Sequence, residues 1–189
     1  MIPFPKKKYN VILADPPWRF KLYSAKGVNK KSANGQYDTM TLDDLKALPV
    51  ADIAAKDCCL FMWATFPMLR EAFEIMDAWG FSYKSGGAWP KTTKNGKDAF
   101  GTGYIFRSAA EVFLVGTKGH VKPMNRSTRN VLHGVVREHS RKPDEQYPFI
   151  ENLFGGERIE LFARQSRQGW DCWGNDTEHF NQQGELKYD

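Results

Sequence analysis

The amino-acid sequence predicts an α/β domain built on a mainly parallel sheet. Short apolar runs alternate along the chain with stretches whose apolar residues recur at helical spacing, and this alternation is typical of parallel strands joined by helices. At 189 residues the chain is long enough for one full hydrophobic core and too short for two comfortable ones. We therefore expect residues 1–189 to form a single domain.

Four segments predict strands, because each is too short for a helix and is bounded by turn or charged residues. They are Tyr9–Ala14, Cys58–Ala64, Glu111–Gly116 and Arg158–Arg164. The segment Phe81–Trp89 is rich in residues that favour strands, and it predicts a fifth.

Helices are predicted between the strands. The segment Thr41–Asp44 resembles a capping box in which Asp replaces Glu, so a helix is expected to begin there. Pro67 is expected to open a second helix, in which apolar residues recur at helical spacing and Gly80 supplies the C-terminal cap. Pro143 predicts a third helix, which Pro148 must either kink or delay.

Three long segments have no periodic apolar pattern and are predicted to be loops. They are Arg19–Gln36, Lys91–Gly103 and Gly119–Arg141. Loops of this length in a compact domain are usually functional. Because several glycines in them relax the backbone, we expect these loops to be poorly ordered until a substrate binds.

The composition excludes several classes of protein. Hydrophobic residues at 41% and charged residues at 26% are ordinary globular values, which excludes wholesale disorder. No apolar run approaches the ~20 residues that span a bilayer, and the segment Met1–Lys8 lacks the apolar stretch of a signal peptide, so a cytoplasmic location is expected. Neither the three cysteines nor the four histidines have metal-ligand spacing, and no metal site is predicted.

The net charge of +5 conceals two clusters of basic residues. One lies between Arg19 and Lys31, and the other runs from Lys118 to Lys142 with Glu138 as its single acid. Such clusters bind polyanions because neutralising phosphates releases counterions, although a solvated surface explains either cluster about as well. The candidate phosphate contacts in the second cluster are Lys118, Arg126, Arg129, His133 and Arg141.

The stretch Ala14–Trp18, with the sequence ADPPW, stands at the carboxyl end of the first predicted strand. Ligands of open parallel sheets bind beyond that end, so Asp15 is expected to face a crevice. Pro16 and Pro17 fix the backbone and remove two N–H groups that would compete for acceptors. A rigid carboxylate, a rigid carbonyl and an aromatic ring suit a planar base that carries an amino group. A turn with a buried tryptophan explains the same residues without any ligand.

An exocyclic amine is a poor nucleophile because its lone pair is delocalised into the ring. Accepting its two hydrogens at the Asp15 carboxylate and the Pro16 carbonyl would localise that lone pair and aim it at an electrophile. Trp18, or another aromatic residue, would stack on the base. The candidate catalytic residues are therefore Asp15, Pro16, Pro17 and Trp18, and neither a metal nor a covalent intermediate is required.

Several blocks of this sequence resemble, in the same order, the MT-A70 family of S-adenosylmethionine-dependent N6-adenine methyltransferases. Asp15–Trp18 resembles the family's Asp-Pro-Pro-Trp signature. The other blocks are Tyr37–Met40, Leu60–Ala64, Glu111–Gly119, Ser140–Glu145 and Ile159–Arg164, followed by the pair Gly174–Asn175. The resemblance covers about residues 9 to 178, and the chain resembles a compact prokaryotic or phage member of the family.

The resemblance implies a Rossmann-like class I methyltransferase fold, with helices on both faces of the sheet and the catalytic block before the cofactor block. It also implies S-adenosylmethionine as cofactor, with Asp15 close to it and Lys142 paired with its methionine carboxylate. The residues that would line its ribose and adenine are Glu160, Leu161, Phe162, Arg164, Asn175 and Asp176. Tyr37 would contact the substrate. Where the family often has a His-Asn pair, this chain has Gln165–Arg167.

The function implied by the resemblance is transfer of a methyl group to N6 of adenine in nucleic acid, with DNA favoured over RNA because the chain is compact. RNA as substrate, a catalytically silent nucleic-acid-binding subunit and a homodimer all stay open. A Rossmann-like oxidoreductase is disfavoured, because no G-x-G-x-x-G motif follows the first strand.

Overall fold

A computed structural model describes residues 2–18, 40–103 and 105–181. Within these residues, six strands form one sheet. The strands are β1 (Tyr9–Ala14), β2 (Ala54–Ala64), β3 (Ser82–Pro90), β4 (Ala110–Lys118), β5 (Arg158–Leu161) and β6 (Asp171–Trp173). The helices are α1 (Leu42–Lys46), α2 (Val50–Ile53), α3 (Leu69–Ala78) and α4 (Gln146–Glu151), and a 3₁₀ turn (Phe66–Met68) precedes α3.

The sheet has the order β3-β4-β2-β1-β5-β6. Strands β2, β1, β5 and β6 are parallel neighbours, whereas β4 is antiparallel to both β2 and β3. The amino end of β4 therefore lies beside the carboxyl end of β2, where Val112 pairs with Ala64. We call the edge formed by the carboxyl ends of β1, β2 and β5 and the amino end of β4 the carboxyl edge. The predicted fold class, a mostly parallel α/β sheet, is confirmed.

The sheet is covered on both faces. On one face Ile12 and Leu60 pack with buried residues of α1 and α3. On the other, Leu13 and Phe61 pack with buried residues of α4. Because both faces of β1 are buried, its sequence is a continuous apolar run rather than an alternating one.

The bounds of the strands differ from the predictions where a local feature overrides the apolar pattern. β1 has the predicted bounds. β2 begins at Ala54 rather than at Cys58, because the exposed residues Lys56 and Asp57 interrupt the apolar pattern from which its start was predicted. β5 ends at Leu161, since Phe162 has a φ of 63°, in the left-handed region. β6 was not predicted.

The predicted helices are present, with one start delayed. The Thr41 side chain accepts a hydrogen bond from the backbone of Asp44 and caps α1, and Gly80 follows α3 with a φ of 78°. α4 begins at Gln146, three residues after Pro143. Pro148 then lies in its first turn, where a missing N–H costs no helical hydrogen bond.

Two of the three predicted loops lie within the described residues. Lys91–Gly103 and Gly119–Arg141 form no named helix or strand there, although the second runs beside β3 through the pairs Ala88–Val131 and Thr92–Val135. The loop Arg19–Gln36 lies outside the described residues. None of the described helices has the length and apolar character needed to cross a bilayer.

Candidate active site

Four elements bring charged side chains to the carboxyl edge. Asp15 follows β1 directly, and Glu111 is the second residue of β4. Glu160 belongs to β5, and its neighbour across the pairing is Leu13 of β1. Lys142 reaches the same place from the long segment that follows β4. The carboxyl ends of β1 and β5 and the amino end of the antiparallel strand β4 meet at this edge, which places these groups close together.

Asp15, Lys91, Glu111 and Lys142 form an ion cluster. Lys142 Nζ lies 2.7 Å from Asp15 Oδ2 and 3.2 Å from Glu111 Oε2. Lys91 pairs with the other oxygen of Glu111. The Lys142 side chain is only 10% exposed, and its amine lies 5.4 Å from the centre of the Trp63 ring. The two carboxylates and two ammonium groups balance in charge, which allows the cluster to be partly buried.

The pKa values of the cluster follow from this pairing. Burial raises the pKa of Asp15, and the charge of Lys142 opposes that rise. Burial also disfavours the charged form of Glu111, but Lys142 and Lys91 outweigh it and lower the pKa of Glu111 to about 2. The same two carboxylates raise the pKa of Lys142 above its usual range against the effect of burial. Glu111 is therefore ionised and Lys142 protonated at neutral pH.

Two consecutive residues after β1, Asp15 and Pro16, carry acceptor oxygens. Asp15 uses Oδ2 for Lys142, and no hydrogen bond from a described residue engages its Oδ1. The Pro16 carbonyl accepts the backbone N–H of Trp18 at 2.8 Å, and a carbonyl oxygen has a second lone pair. This pair of oxygens can accept two hydrogens from one planar amine.

The Trp18 side chain is packed in the core. It is 6% exposed and belongs to the apolar cluster on the face of α1 and α3, and its indole N–H has no hydrogen-bond partner among the described residues. The structure therefore favours the alternative of a turn with a buried tryptophan. Stacking of Trp18 on a base stays a prediction that requires the ring to be released.

Glu160 is held by a network of neutral and charged side chains. It is 8% exposed, and Tyr147 donates a hydrogen bond to its Oε2 at 2.8 Å. Burial raises the pKa of Glu160 to about 7, although the bond from Tyr147 opposes the rise. Gln165 in turn donates to the Tyr147 hydroxyl and to Asp144, each at 3.0 Å. Gln165, the residue after Arg164, thus fixes the hydroxyl that orients Glu160.

The ends of β5 and β6 meet closely beside this network. At Gly174 an added Cβ would lie 2.6 Å from the Ala163 carbonyl oxygen, so the close approach requires glycine. Phe162 turns the chain at the end of β5 and stacks edge-on against Trp173. The exposed residues Asn175 and Asp176 follow Trp173 after Gly174.

Comparison with known proteins gives a consistent result. The model of the MT-A70 family matches residues 9–176. This chain belongs to the MT-A70 family. The type II methyltransferase M.MunI from a Mycoplasma species is 38% identical over an aligned length of 189 residues. The alignment covers 90% of this chain and 78% of that protein. The resemblance drawn from the sequence blocks is thereby confirmed.

Eukaryotic MT-A70 proteins are also similar, over a smaller share of their length. The human N(6)-adenosine-methyltransferase catalytic subunit METTL3 is 31% identical over 178 residues, covering 89% of this chain and 28% of METTL3. A putative N(6)-adenosine-methyltransferase from Medicago truncatula is 32% identical over 177 residues, 26% of its length. This MT-A70 chain therefore spans about a quarter of those two relatives.

The structure brings only some of the predicted cofactor residues of this MT-A70 chain together. Asp15, Lys142 and Glu160 share the carboxyl edge. Arg164 lies three residues after the end of β5, and its guanidinium lies 4.5 Å from the centre of the Phe180 ring. Leu161 is fully buried in the core, so its side chain is not available to a ligand.

Lys118, a predicted substrate contact, lies at the opposite edge of the sheet from Asp15. It is the last residue of the antiparallel strand β4 and pairs in register with Cys58, about five residues or roughly 16 Å before the level of Asp15 along the strand direction. Its amine donates to the Ala51 carbonyl at 3.2 Å. The structure therefore does not bring Lys118 to Asp15, since β4 runs antiparallel to β2, and its contact with substrate stays a prediction.

The other predicted substrate contacts are spread over the long segment before Lys142. Arg126 lies beside Glu151 and Asn152 at the far end of α4 from the carboxyl edge, so the structure does not bring it to Asp15. Arg129 and His133 are exposed. Arg141 donates to Gln165 and Glu138, close to Lys142. Tyr37 lies outside the described residues.

Sequence reasoning missed Glu111, Lys91, Tyr147 and Gln165 as site residues. Glu111 opens one of the blocks that resemble the family, and a carboxylate at the start of an apolar strand was a usable signal. Lys91 gave no such signal, since its partner Glu111 is remote in sequence and their contact depends on the pairing of β3 with β4.

Proposed function

We propose that this chain transfers a methyl group from S-adenosylmethionine to the N6 amino group of adenine in DNA. The observation that carries the proposal is the pair of acceptors at Asp15 and Pro16 beside a buried lysine at the carboxyl edge. Membership of the MT-A70 family supports methyl transfer as the reaction. The names of the METTL3-type relatives support N6 of adenosine as the acceptor atom.

Asp15 and Pro16 would orient the target amine. One amino hydrogen would go to Asp15 Oδ1 and the other to the Pro16 carbonyl, which would pyramidalise the nitrogen and localise its lone pair for attack on the methyl group. Burial raises the pKa of Asp15, and the charge of Lys142 opposes that rise and so favours the ionised carboxylate as acceptor. The amine becomes acidic once it is alkylated, and a weak acceptor then suffices to pass its proton to water.

The side chains at this edge fit S-adenosylmethionine. When bound, that cofactor supplies an electrophilic methyl group on a sulfonium. An ammonium group has three donors, and Lys142 uses two of them for Asp15 and Glu111, which leaves one for the methionine carboxylate. Glu160 and Asn175 would accept from and donate to the ribose hydroxyls, with Phe162, Arg164 and Asp176 around the adenine.

We propose DNA rather than RNA because the identity of 38% with the type II methyltransferase exceeds the 31% identity with METTL3. RNA is the second candidate. The deciding experiment incubates the protein with methyl-labelled S-adenosylmethionine and with DNA and RNA of matched sequence, then identifies the labelled nucleoside by mass spectrometry. N6-methyldeoxyadenosine is expected, and label in RNA alone would transfer the proposal to RNA.

A variant tests the alternative that this chain is a catalytically silent subunit, because binding of S-adenosylmethionine alone would not exclude it. Asp15→Asn should reduce methyl transfer by about 100-fold or more, a loss typical of removing one group that acts on the reacting atoms. Asp77→Asn, an exposed carboxylate in α3, is the matched control and should keep full activity. Label uptake that survives in Asp15→Asn would contradict the proposed role of this carboxylate.

A further inference from the structure

The segment between β3 and β4 exposes apolar side chains. Ile105 and Phe106 are 87% and 83% exposed, and Phe100 is 67% exposed. The backbone holds them out: the N–H of Gly101 donates to the Ser108 carbonyl at 2.9 Å. At Gly103 an added Cβ would lie 2.1 Å from the Phe106 carbonyl oxygen, so glycine is required there. Three large apolar side chains are thus presented to solvent at a cost that folding alone does not explain.

This segment starts at the ion cluster. Lys91, its first residue, donates its backbone N–H to the Ala109 carbonyl at 2.8 Å and so continues the pairing of β3 with β4. The Lys91 side chain pairs with Glu111, and Glu111 pairs with Lys142. The exposed residues therefore extend from the same edge of the sheet as Asp15.

The charge of the segment favours a polyanion as its partner. Residues 91–109 contain four basic residues and a single acid, Asp98. Lys91 is compensated by Glu111, and the Arg107 guanidinium lies 5.7 Å from the centre of the Phe100 ring. The surface area of two or three exposed side chains falls well short of the ~800 Å² that each partner buries in a stable protein interface. A ligand with phosphates outside and apolar, stacked bases inside matches both the charge and the small apolar area.

We propose that Ile105 and Phe106 form an apolar wedge that enters the base stack of duplex DNA beside the target adenine, while Arg107 and Lys97 contact the phosphates. This inference rests on the proposed function. An adenine inside a duplex must leave its stack to reach Asp15, and that step costs a few kcal/mol. Apolar side chains that fill the gap offset the cost, as in other proteins that unstack base steps.

The test compares duplex with single-stranded substrate. The variant Ile105→Ala/Phe106→Ala changes only exposed side chains, so folding should be kept, and affinity for S-adenosylmethionine measured by calorimetry should not change. The ratio of kcat/KM on a duplex to kcat/KM on the single strand of the same sequence should fall about tenfold, since a single strand needs little unstacking. Tyr83→Ala, an exposed aromatic at the other end of β3, is the control and should leave the ratio unchanged.

A fluorescence measurement separates this inference from the proposed catalysis. With 2-aminopurine in place of the target adenine, the wild-type protein should increase the fluorescence of the duplex, and the double variant should not. This readout needs binding but no methyl transfer, so a wild-type protein that binds and unstacks without methylating would leave the wedge standing and overturn the proposed function.

Three results would overturn the wedge. The first is an unchanged activity ratio and fluorescence in the double variant. The second is a wild-type dimer in sedimentation that becomes a monomer in the double variant, which would assign the residues to an interface between copies of this chain. The third is a wild-type protein that binds no duplex at all.

Discussion

At the scale of single residues, the candidate site depends on buried charges that compensate one another. Asp15 and Glu111 share Lys142, whose side chain is 10% exposed. Removing one member of a buried ion pair leaves the others without compensation, which is far more costly than losing a surface pair. Lys142 is therefore expected to stabilise the fold as well as the site.

Lys142→Met should lower the free energy of unfolding by about 2–3 kcal/mol at pH 7, since two partly buried carboxylates lose their shared cation. The loss should shrink at pH 5, where a proton on either carboxyl replaces the missing charge. Urea denaturation at both pH values measures it. Lys46→Met is the control: Lys46 and Glu74 are 30% and 44% exposed, so this variant should lose under about 1 kcal/mol. Equal losses in the two variants would contradict the buried cluster.

The contribution of Glu160 to folding stability changes with pH in the opposite direction to that of an ordinary ion-paired carboxylate. Its pKa is about 7 in the folded protein and near 4.5 when unfolded. Between these values the folded state holds a proton that the unfolded state has released. Its contribution to stability is therefore full below pH 4.5 and falls as pH rises to 7, by up to about 3 kcal/mol.

Glu160→Gln keeps an acceptor for Tyr147 but cannot ionise. The variant should therefore gain stability relative to the wild type as pH rises from 5 to 7, and its affinity for S-adenosylmethionine should lose the increase with pH that an ionised ribose acceptor gives. Chemical denaturation and calorimetry across this range measure both effects. Stability curves that stay parallel would show that Glu160 does not titrate there.

At the scale of elements, the sequence predicted what depends on local patterns. β1 was predicted to the residue because both its faces are buried and its bounds are sharp, and the cap of α1 because Thr41 and Asp44 are three residues apart. β6 is three residues long and includes an exposed Asp171, too little for any period to appear. The early end of β5 results from the left-handed backbone of Phe162, a conformation that a phenylalanine does not signal.

The close approach of β5 and β6 predicts the effect of Gly174→Ala. The added methyl would meet the Ala163 backbone at 2.6 and 2.9 Å, and backbone cannot move aside as a flexible side chain can. The variant should lose about 1–3 kcal/mol of stability and bind S-adenosylmethionine more weakly. Gly155→Ala is the control, because its added methyl meets only the Met124 sulfur at 3.6 Å. A Gly174→Ala protein with wild-type stability and affinity would show that the two turns are not fixed to each other.

At the scale of the whole molecule, the fold class followed from the sequence but the sheet order did not. Alternating strands and helices predict a parallel sheet, yet they do not reveal that β4 is antiparallel. That one reversal places Glu111 at the carboxyl edge and Lys118 at the opposite one, which explains why Glu111 was missed and why Lys118 does not lie near Asp15. Asp15, Lys142 and Glu160, which the sequence blocks predict as site residues, lie at the same edge, while Gln165 could be recognised only from its contacts.

The reversal of β4 also predicts how charge is used in binding DNA. Lys97 and Arg107 lie in the segment that extends from the carboxyl edge, whereas Lys118 lies at the other end of β4. Each phosphate contact contributes about 0.9 to the slope of log affinity against log salt. Lys97→Gln/Arg107→Gln should therefore reduce that slope by about 1.8 for duplex DNA, measured by fluorescence anisotropy between low and physiological salt. Lys118→Gln should leave the slope unchanged, and a loss there as large as in the double variant would mean that DNA crosses the opposite edge of the sheet.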